Sequence, residues 1–377
     1  MTLILIVTGA VLVYLIQNRL YQRYWNKSLY VSVDFEKKQA VRGEQVNLIE
    51  VVTNNKILPL SMLCLKFDID KSFIFADVED SISVSDKCYK NDIFSLLFYQ
   101  KITRTLPFVC TNRGFFTITK ANLVSSNLFL NIQFAESIPL YTEITVFPDL
   151  ADGGRLEIPY RKMMGELLAK RCLYEDPFEF SGIREYSTTD TMSSVNWKAS
   201  ARTGDLRVNV HGHTASQEIC ILLDLESEIH WQADKLLEEC ISIAAGLCDK
   251  FISSGVGIRL ISNGCDIYSK QPLLIEGGMS ASHMDTILTA LARIDLKLST
   301  AAFTGVLDKL IAKETGNTLY ILVSVAYGDK LSQFYETLAQ KSAFAMWILP
   351  YSFKPQFDIK MCPSVEIVPW EVTANEK

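Results

Sequence analysis

The sequence predicts an α+β multidomain chain: an N-terminal transmembrane anchor, a β-sandwich and a doubly wound α/β domain. Three observations predict it. The stretch from Met1 to Asn18 carries no charged side chain. Residues 28–150 alternate apolar and polar side chains between turn residues, the pattern of half-buried strands. From Gln217 onward, short apolar runs alternate with amphipathic stretches, the pattern of strands and helices around a buried parallel sheet.

The apolar segment, residues 1–18, is near the lower limit of about 17 residues for crossing a bilayer. A cleaved signal peptide would carry basic residues before the apolar run and a small-residue cleavage site after it. Here the basic residues Arg19, Arg23 and Lys27 come afterwards. The segment is therefore expected to stay in the membrane as a single-pass anchor. The positive-inside rule puts the bulk of the chain in the cytoplasm. Tyr14, Tyr21, Tyr24 and Trp25 are expected in the headgroup layer.

Within residues 28–150 the expected strands are LYVSVDFE, QVNLIEVVT, LPLSMLCLKF, SLLFYQKIT, TLPFVC, GFFTITKANL and EITVFP. Turn chemistry separates them at Arg42-Gly43, Asn54-Asn55 and Asn112-Arg113-Gly114. No long helical period interrupts, so an immunoglobulin-like sandwich is the natural way to bury the apolar faces. The Cys…Trp…Cys core of antibody domains is lacking.

DLADGG, from Asp149, reads as a boundary. Residues 151–216 read as a connecting segment that opens with a helical stretch, IPYRKMMGELLAKRC, weakened at Gly165. Residues 217–370 then give EICILLDLE as a buried strand, ADKLLEECISIAAGLCDKFISSG as a helix closed by Gly255, and VGIRLISNG as a second strand. Helices follow at SASHMDTILTALARI, with Ser280 or Ser282 as N-cap, and at TGVLDKLIAKE. NTLYILVSV, DKLSQFYETLAQK, AFAMWILPY and SVEIVPW complete the sheet and its cover.

Composition excludes several function classes. A net charge of −6 over 377 residues, without a dense Lys/Arg stretch, argues against nucleic acid as a partner. The nine cysteines are scattered without a CxxC pair, so neither a zinc knuckle nor a disulfide scaffold is expected. No phosphate-binding GxxxxGK[ST] or GxGxxG, no GxSxG elbow and no HExxH occurs. His211 and His213 form an HxH pair with no accompanying ligand at metal spacing.

Two places remain as candidate sites. Ligands in doubly wound sheets bind beyond the carboxyl ends of the strands. Asp224, Glu226 and Glu228 cluster there, after the first α/β strand, and Ser280 in GGMSAS offers a hydroxyl from another loop. In a von Willebrand A domain this place holds Asp-x-Ser-x-Ser, which binds a divalent cation. Here both Ser positions are Glu, so the motif is degenerate. No cofactor is expected; Mg²⁺ or Ca²⁺ on these oxygens is the alternative. The second place is the run from Asp176 to Leu206, which mixes Arg184, Glu185, Asp190, Lys198, Arg202 and Asp205 with Tyr186, Asn196 and Trp197. It is either an inter-domain clasp, with the Trp197 ring buried and Arg184, Glu185, Asp190 and Arg202 paired, or a docking surface anchored by Trp, Tyr and Arg.

This run resembles the signature of the domain-of-unknown-function family DUF58. The match rests on Gly182, Arg184, Glu185, Tyr186, Asp190, Asn196, Trp197, Lys198, Ser200, Ala201, Arg202 and Leu206. Arg113-Gly114-Phe115-Phe116 and the VFP at Val146 resemble further family features. Thr188 and Thr189 stand where the family has Pro-Gly, and Ser193 where it has Arg. Ser126-Asn127-Leu128-Phe129 is a reduced form of the family's Asp-Pro-Phe-Gly. The resemblance implies a von Willebrand A-like α/β domain. It also implies association with a MoxR-type AAA+ ATPase in the assembly or maturation of other proteins.

The leading expectation is a non-enzymatic, membrane-anchored adaptor whose client the sequence does not name. The alternatives are a surface adhesion or receptor protein with the domains outside, and a metal-dependent hydrolase using Asp224, Glu226 and Glu228.

Overall fold

The computed structural model describes residues 2–75, 82–84, 87–151, 153–173, 180–187, 192–211, 218–226, 233–298, 302–314, 316–352 and 364–372. They form two compact units, Met1–Asp149 and Leu150–Lys377.

The first unit opens with helix α1 (Thr2–Tyr24). Among the described residues, this is the helix long and apolar enough to cross a membrane. It runs past residue 18 because its last turn is held by the sandwich. Tyr21 is buried and donates its hydroxyl to the Pro59 carbonyl at 2.7 Å. Trp25 is buried and stacks on Phe134, centroids 6.1 Å apart. These two rings are core, which corrects their expected place in the headgroup layer. Each is better satisfied by a close-packed interior than by an interface.

Ten strands follow: β1 (Leu29–Phe35), β2 (Gln39–Val41), β3 (Gln45–Asn54), β4 (Leu60–Asp70), β5 (Phe73–Phe75), β6 (Ile82–Val84), β7 (Lys87–Leu96), β8 (Lys101–Cys110), β9 (Gly114–Ser126) and β10 (Gln133–Phe147). They make a four-stranded sheet, β1-β3-β8-β5, and a six-stranded sheet, β2-β10-β9-β4-β7-β6. The core between them includes Val46, Leu48, Val52, Leu65, Phe67, Phe108, Leu123 and Ile144. Period-two alternation is what buries one face of each strand: from Val46 to Asn54 in β3 every second residue is buried. Glu50 falls on that inward face and is fully buried.

The expected strand SLLFYQKIT is not one strand. Its first residues end β7, Leu97–Gln100 turn, and Lys101 begins β8. Gln100 fixes this turn by accepting the Leu97 N–H on its side-chain oxygen at 2.7 Å. Most of β7 was hidden from pattern reading, because KCYKND offers few apolar residues for an alternation.

The second unit opens with helix α2 (Gly153–Leu173). Residues 151–216 are not a mere connection: Leu156, Met163 and Leu167 are buried in the core of this unit. Strand β11 (Phe180–Glu185), a short 3₁₀ turn (Met192–Ser194), helix α3 (Trp197–Thr203) and strand β12 (Arg207–His211) come next. Then follow β13 (Ile219–Leu223), α4 (Ala233–Ser253), β14 (Ile258–Cys265), β15 (Pro272–Gly278), α5 (Ala281–Ala292), α6 (Thr304–Lys313), β16 (Leu319–Val323), α7 (Asp329–Lys341), β17 (Phe344–Tyr351) and β18 (Glu366–Glu371).

The sheet order is β15-β14-β13-β16-β17-β18. All neighbours are parallel except β14 and β15. β13 and β16 are buried at every position, as central parallel strands must be. Helix α4 covers one face with Cys240, Ile241, Ala244, Leu247, Cys248 and Phe251. Tyr335, Leu338 and Leu331 of α7 cover the other. The edge strand β15 was not expected from sequence. It is largely exposed, with Ile275 buried, and pairs with β14 through two register shifts.

Candidate functional site

The signature run folds into a small structure of its own. β11 and β12 form a two-stranded antiparallel ribbon, with Glu185 opposite Arg207. Helix α3 sits on it, and Asn196 organises the junction. Its Oδ1 accepts the Ala199 N–H at 2.9 Å, capping the helix, and its Nδ2 donates to Asn209 Oδ1 at 2.7 Å. Ser200 is the other tie: its hydroxyl donates to the Asn196 carbonyl and accepts the Arg207 N–H, both at 2.9 Å. Gly204 ends the helix at φ +84°, a left-handed conformation that suits glycine.

With Asn196 and Ser200 turned inward, the outer face of α3 carries Trp197, Lys198, Ala201 and Arg202, all exposed. Trp197 is 63% exposed, so the buried ring expected of a clasp is not found. The helix period explains this: a seven-residue helix whose Asn196 cap and Ser200 face the ribbon must present Trp197 to solvent. The described contacts of the charged residues are local. Glu185 lies 3.9 Å from Arg207, and Arg184 donates to the Glu185 carbonyl at 3.1 Å. Tyr186 is half-buried and its N–H donates to the Leu206 carbonyl at 2.9 Å. Asp190, with Thr188 and Thr189, lies outside the described residues.

The Asp224 corner lies at the carboxyl end of β13, between β13 and β16, where the strand order reverses direction. Asp224 is fully buried. Its Oδ1 accepts the Glu226 N–H and the Asn263 Nδ2, each at 2.9 Å. Its Oδ2 accepts the Ser324 hydroxyl at 2.8 Å. Burial raises this carboxyl to about 6, against the opposing pull of those three donors. Glu226 is exposed, and its Oε2 accepts the Phe303 N–H at 3.3 Å.

Of the oxygens expected to form a cation site, Asp224 and Glu226 share this corner and Ser280 does not. Ser280 is at the other end of the sheet. Gly278, two residues before it, pairs with Ile258, which pairs in turn with Ile219 at the start of β13. The antiparallel turn into β15 causes this displacement, by carrying the chain back before α5 begins. Ser280 Oγ serves instead as the α5 N-cap, accepting the His283 N–H at 3.2 Å. Glu228 lies outside the described residues. Among the described residues, no group of three or more His, Cys, Asp or Glu is placed to hold a metal ion. Asp224, its oxygens already engaged by protein donors, does not fit a cation ligand in this arrangement.

Sequence reading missed Asn263 and Ser324, the partners that decide what Asp224 is. A signal was present: both are polar residues at the ends of otherwise apolar strand runs, ISNG and ILVS, flanking β13.

A protein-family model described as "Protein of unknown function DUF58" matches residues 182–346. No curated protein matches this chain. Similar solved structures include a non-cellulosomal cohesin from Archaeoglobus fulgidus, at 10% identity and TM-score 0.21, covering 31% of this chain and 90% of that one. The CARDB domain of the PF1109 protein from Pyrococcus furiosus is similar at 12% identity and TM-score 0.21, covering 32% and 90%. The CaCohA2 structure from Clostridium acetobutylicum is similar at 16% identity and TM-score 0.23, covering 32% and 92%. The family match spans the ribbon, α3 and the sheet through the start of β17, so it is this part of the chain that is similar to the DUF58 family.

Proposed function

We propose that this protein is a non-enzymatic, membrane-anchored interaction module that docks a partner through the outer face of α3. The observation that carries the reading is Trp197. A large aromatic ring stands 63% exposed on a helix that is capped and tied to a ribbon beneath it. Lys198 and Arg202 flank it on the same exposed face. Pre-organised Trp and Arg side chains are the usual anchors of protein interfaces, because little conformational entropy is lost on binding.

Helix α1 supports the membrane reading by length and composition, and Arg19, Arg23 and Lys27 after its apolar run support a cytoplasmic location for both units. We read the α/β unit as von Willebrand A-like, with Asp224 and Glu226 at the carboxyl end of its first strand as the supporting feature, and with no resident cation. The partner is a MoxR-type AAA+ ATPase, and the client of the pair is a protein undergoing assembly or maturation.

Affinity capture of the full-length protein from detergent-solubilised membranes tests this. An AAA+ ATPase is expected to co-purify with the wild type and to be lost with Trp197→Ala. Recovery of no AAA+ protein, or equal recovery with the variant, overturns the reading.

A further inference from the structure

The loops at one end of the sandwich share a composition that the other end lacks. This end is defined by contacts. The Tyr21 hydroxyl donates to the Pro59 carbonyl, the Asn55 N–H to the Ser28 carbonyl, the Tyr99 N–H to the Lys56 carbonyl, and Asn54 Nδ2 to the Leu97 carbonyl. The turn after β9 joins them: Asn127 Nδ2 donates to Asn18 Oδ1 at 2.7 Å, and Asn131 Nδ2 to the Tyr14 hydroxyl at 2.6 Å. Residues 25–28, 54–59, 97–101 and 127–132 therefore surround the carboxyl half of α1.

These segments contain no Asp or Glu, and they carry the exposed Lys27 and Lys101; the Lys56 ammonium is buried and takes no part in the surface. Their tips are apolar and exposed. Leu97, Phe98 and Tyr99 are 60%, 61% and 65% exposed, and Leu128, Phe129 and Leu130 are 49%, 61% and 56% exposed. Tyr99 and Leu130 adopt positive φ, at 52° and 55°, which folds each tip into a tight, outward-pointing turn. At the opposite end the connections mix acids (Glu36, Glu44, Asp70 and Asp149) with bases (Lys37, Lys38, Arg42, Lys71 and Arg113), so only the first end is free of acids.

The position of Phe129 against α1 sets a depth. Its ring lies 5.8 Å from that of Tyr14. Tyr14 precedes Arg19 by five residues, or about 7.5 Å along a helix rising 1.5 Å per residue. With Arg19 and Arg23 at the headgroups, the 128–130 tip lies about 5–10 Å below them, the depth at which interfacial apolar groups settle. Basic residues without nearby acids suit the anionic surface of the cytoplasmic leaflet.

We infer that the 97–99 and 128–130 turns insert into the same bilayer that α1 crosses, so that the sandwich is seated on the lipid and does not hang from the helix as from a tether. The partner of this surface is the lipid bilayer. The inference rests on the anchor reading of α1, and the experiment separates the two. The full-length protein is reconstituted into phosphatidylcholine–phosphatidylglycerol vesicles. Photoreactive benzoylphenylalanine replaces Phe129, Phe98, Leu12 on α1, or Ile74 in turn, and lipid adducts are counted by mass spectrometry.

Ile74 is the control, because it is 55% exposed and pairs with Val109 at the far end of β8. The expected result is lipid adducts at positions 129 and 98 comparable to those at position 12 and about tenfold above position 74. Adducts at position 12 with only the background of position 74 at both turns overturn the inference and leave the anchor standing. No adducts at position 12 overturn both. Adducts from the turns to a second copy of the chain, in place of lipid, also overturn it.

Discussion

Asn263 at the end of β14 binds Asp224 and its successor at once: its Nδ2 donates to Asp224 Oδ1 at 2.9 Å, and its Oδ1 accepts the Leu225 N–H at 2.8 Å. Ser324, beyond β16, takes the other carboxylate oxygen. One buried acid thus ties the carboxyl ends of β14, β13 and β16 together. The corner that looks like a ligand site in sequence is a polar clasp within the sheet.

That clasp has a pH signature. Burial raises the Asp224 carboxyl from its ordinary 3.8 to about 6. Between those values the folded state holds a proton that the unfolded chain has released, so stability is present below the lower value and lost as pH rises through the upper. Asp224→Asn keeps the acceptor for Asn263 and removes the titration. The stability difference should move by about 2 kcal/mol in the variant's favour from about pH 4 to about pH 7. Urea unfolding of both proteins across that range checks the prediction; parallel curves would refute it.

A second buried acid lies inside the sandwich. Glu50 on β3 faces Asp92 on β7, with Arg104 Nη1 donating to Asp92 Oδ1 at 2.8 Å and Lys90 Nζ 3.6 Å from Asp92 Oδ2. Burial, then the Asp92 charge, holds Glu50 protonated well above the usual carboxylate range. The proton on Glu50 gives the pair a donor that two carboxylates lack. Arg104→Met should cost about 1–3 kcal/mol at neutral pH, since it removes the closer of the two cations on Asp92 and leaves only Lys90. Adding Glu50→Gln should recover part of that loss, as thermal melts of the single and double variants would register.

Helices α2 and α4 meet at Gly246. A Cβ there would stand 2.6 Å from Leu156 Cδ1 and 3.3 Å from the Ala151 nitrogen. The Leu156 side chain can shift, but the Ala151 backbone, whose N–H donates to the Ser242 carbonyl at 3.1 Å, has little room. Gly246→Ala should therefore destabilise the protein by about 1–3 kcal/mol despite its higher helix propensity. A denaturant midpoint at or above wild type would contradict this.

Asn196 and Trp197 are neighbours with opposite roles. Asn196→Ala removes the α3 cap and the bond to Asn209, and should cost about 1 kcal/mol or somewhat more. Trp197→Ala removes an exposed ring and should change stability by no more than about 0.5 kcal/mol. Equilibrium unfolding should separate them clearly. A large loss with Trp197→Ala would restore the clasp reading.

Orientation is open to a direct assay. With both units in the cytoplasm, an impermeant amine reagent should leave the chain unmodified on intact cells and react with exposed lysines such as Lys27 and Lys101 after lysis. Labelling before lysis would favour the adhesion or receptor alternative.

Much of the fold was legible because burial imposes its period on local sequence. The run LILIVTGAVLVYLI reads as an apolar helix by its length and lack of charge. QVNLIEVVTN alternates because one face of β3 meets the core. ICILL and LYILV are continuous because β13 and β16 are covered on both faces. β7 and β15 escaped, since an edge or polar strand is specified by its partner's hydrogen bonds rather than by its own side chains.

The candidate sites divide the same way. The sequence by itself determined that acids follow β13, that Asn196, Trp197 and Arg202 are closely spaced, and that residues 1–18 carry no charged side chain. Tertiary structure alone decided what those residues do. Strand register carried Ser280 to the far end of the sheet and brought Asn263 and Ser324, 39 and 100 positions away in the chain, onto Asp224. Helix period turned Asn196 inward and Trp197 outward. The packing of α1 drew Tyr21 and Trp25 into the sandwich and left Phe98 and Phe129 outside it. Local sequence fixes which side chains alternate or repeat, but only the pairing of distant segments fixes which of them meet.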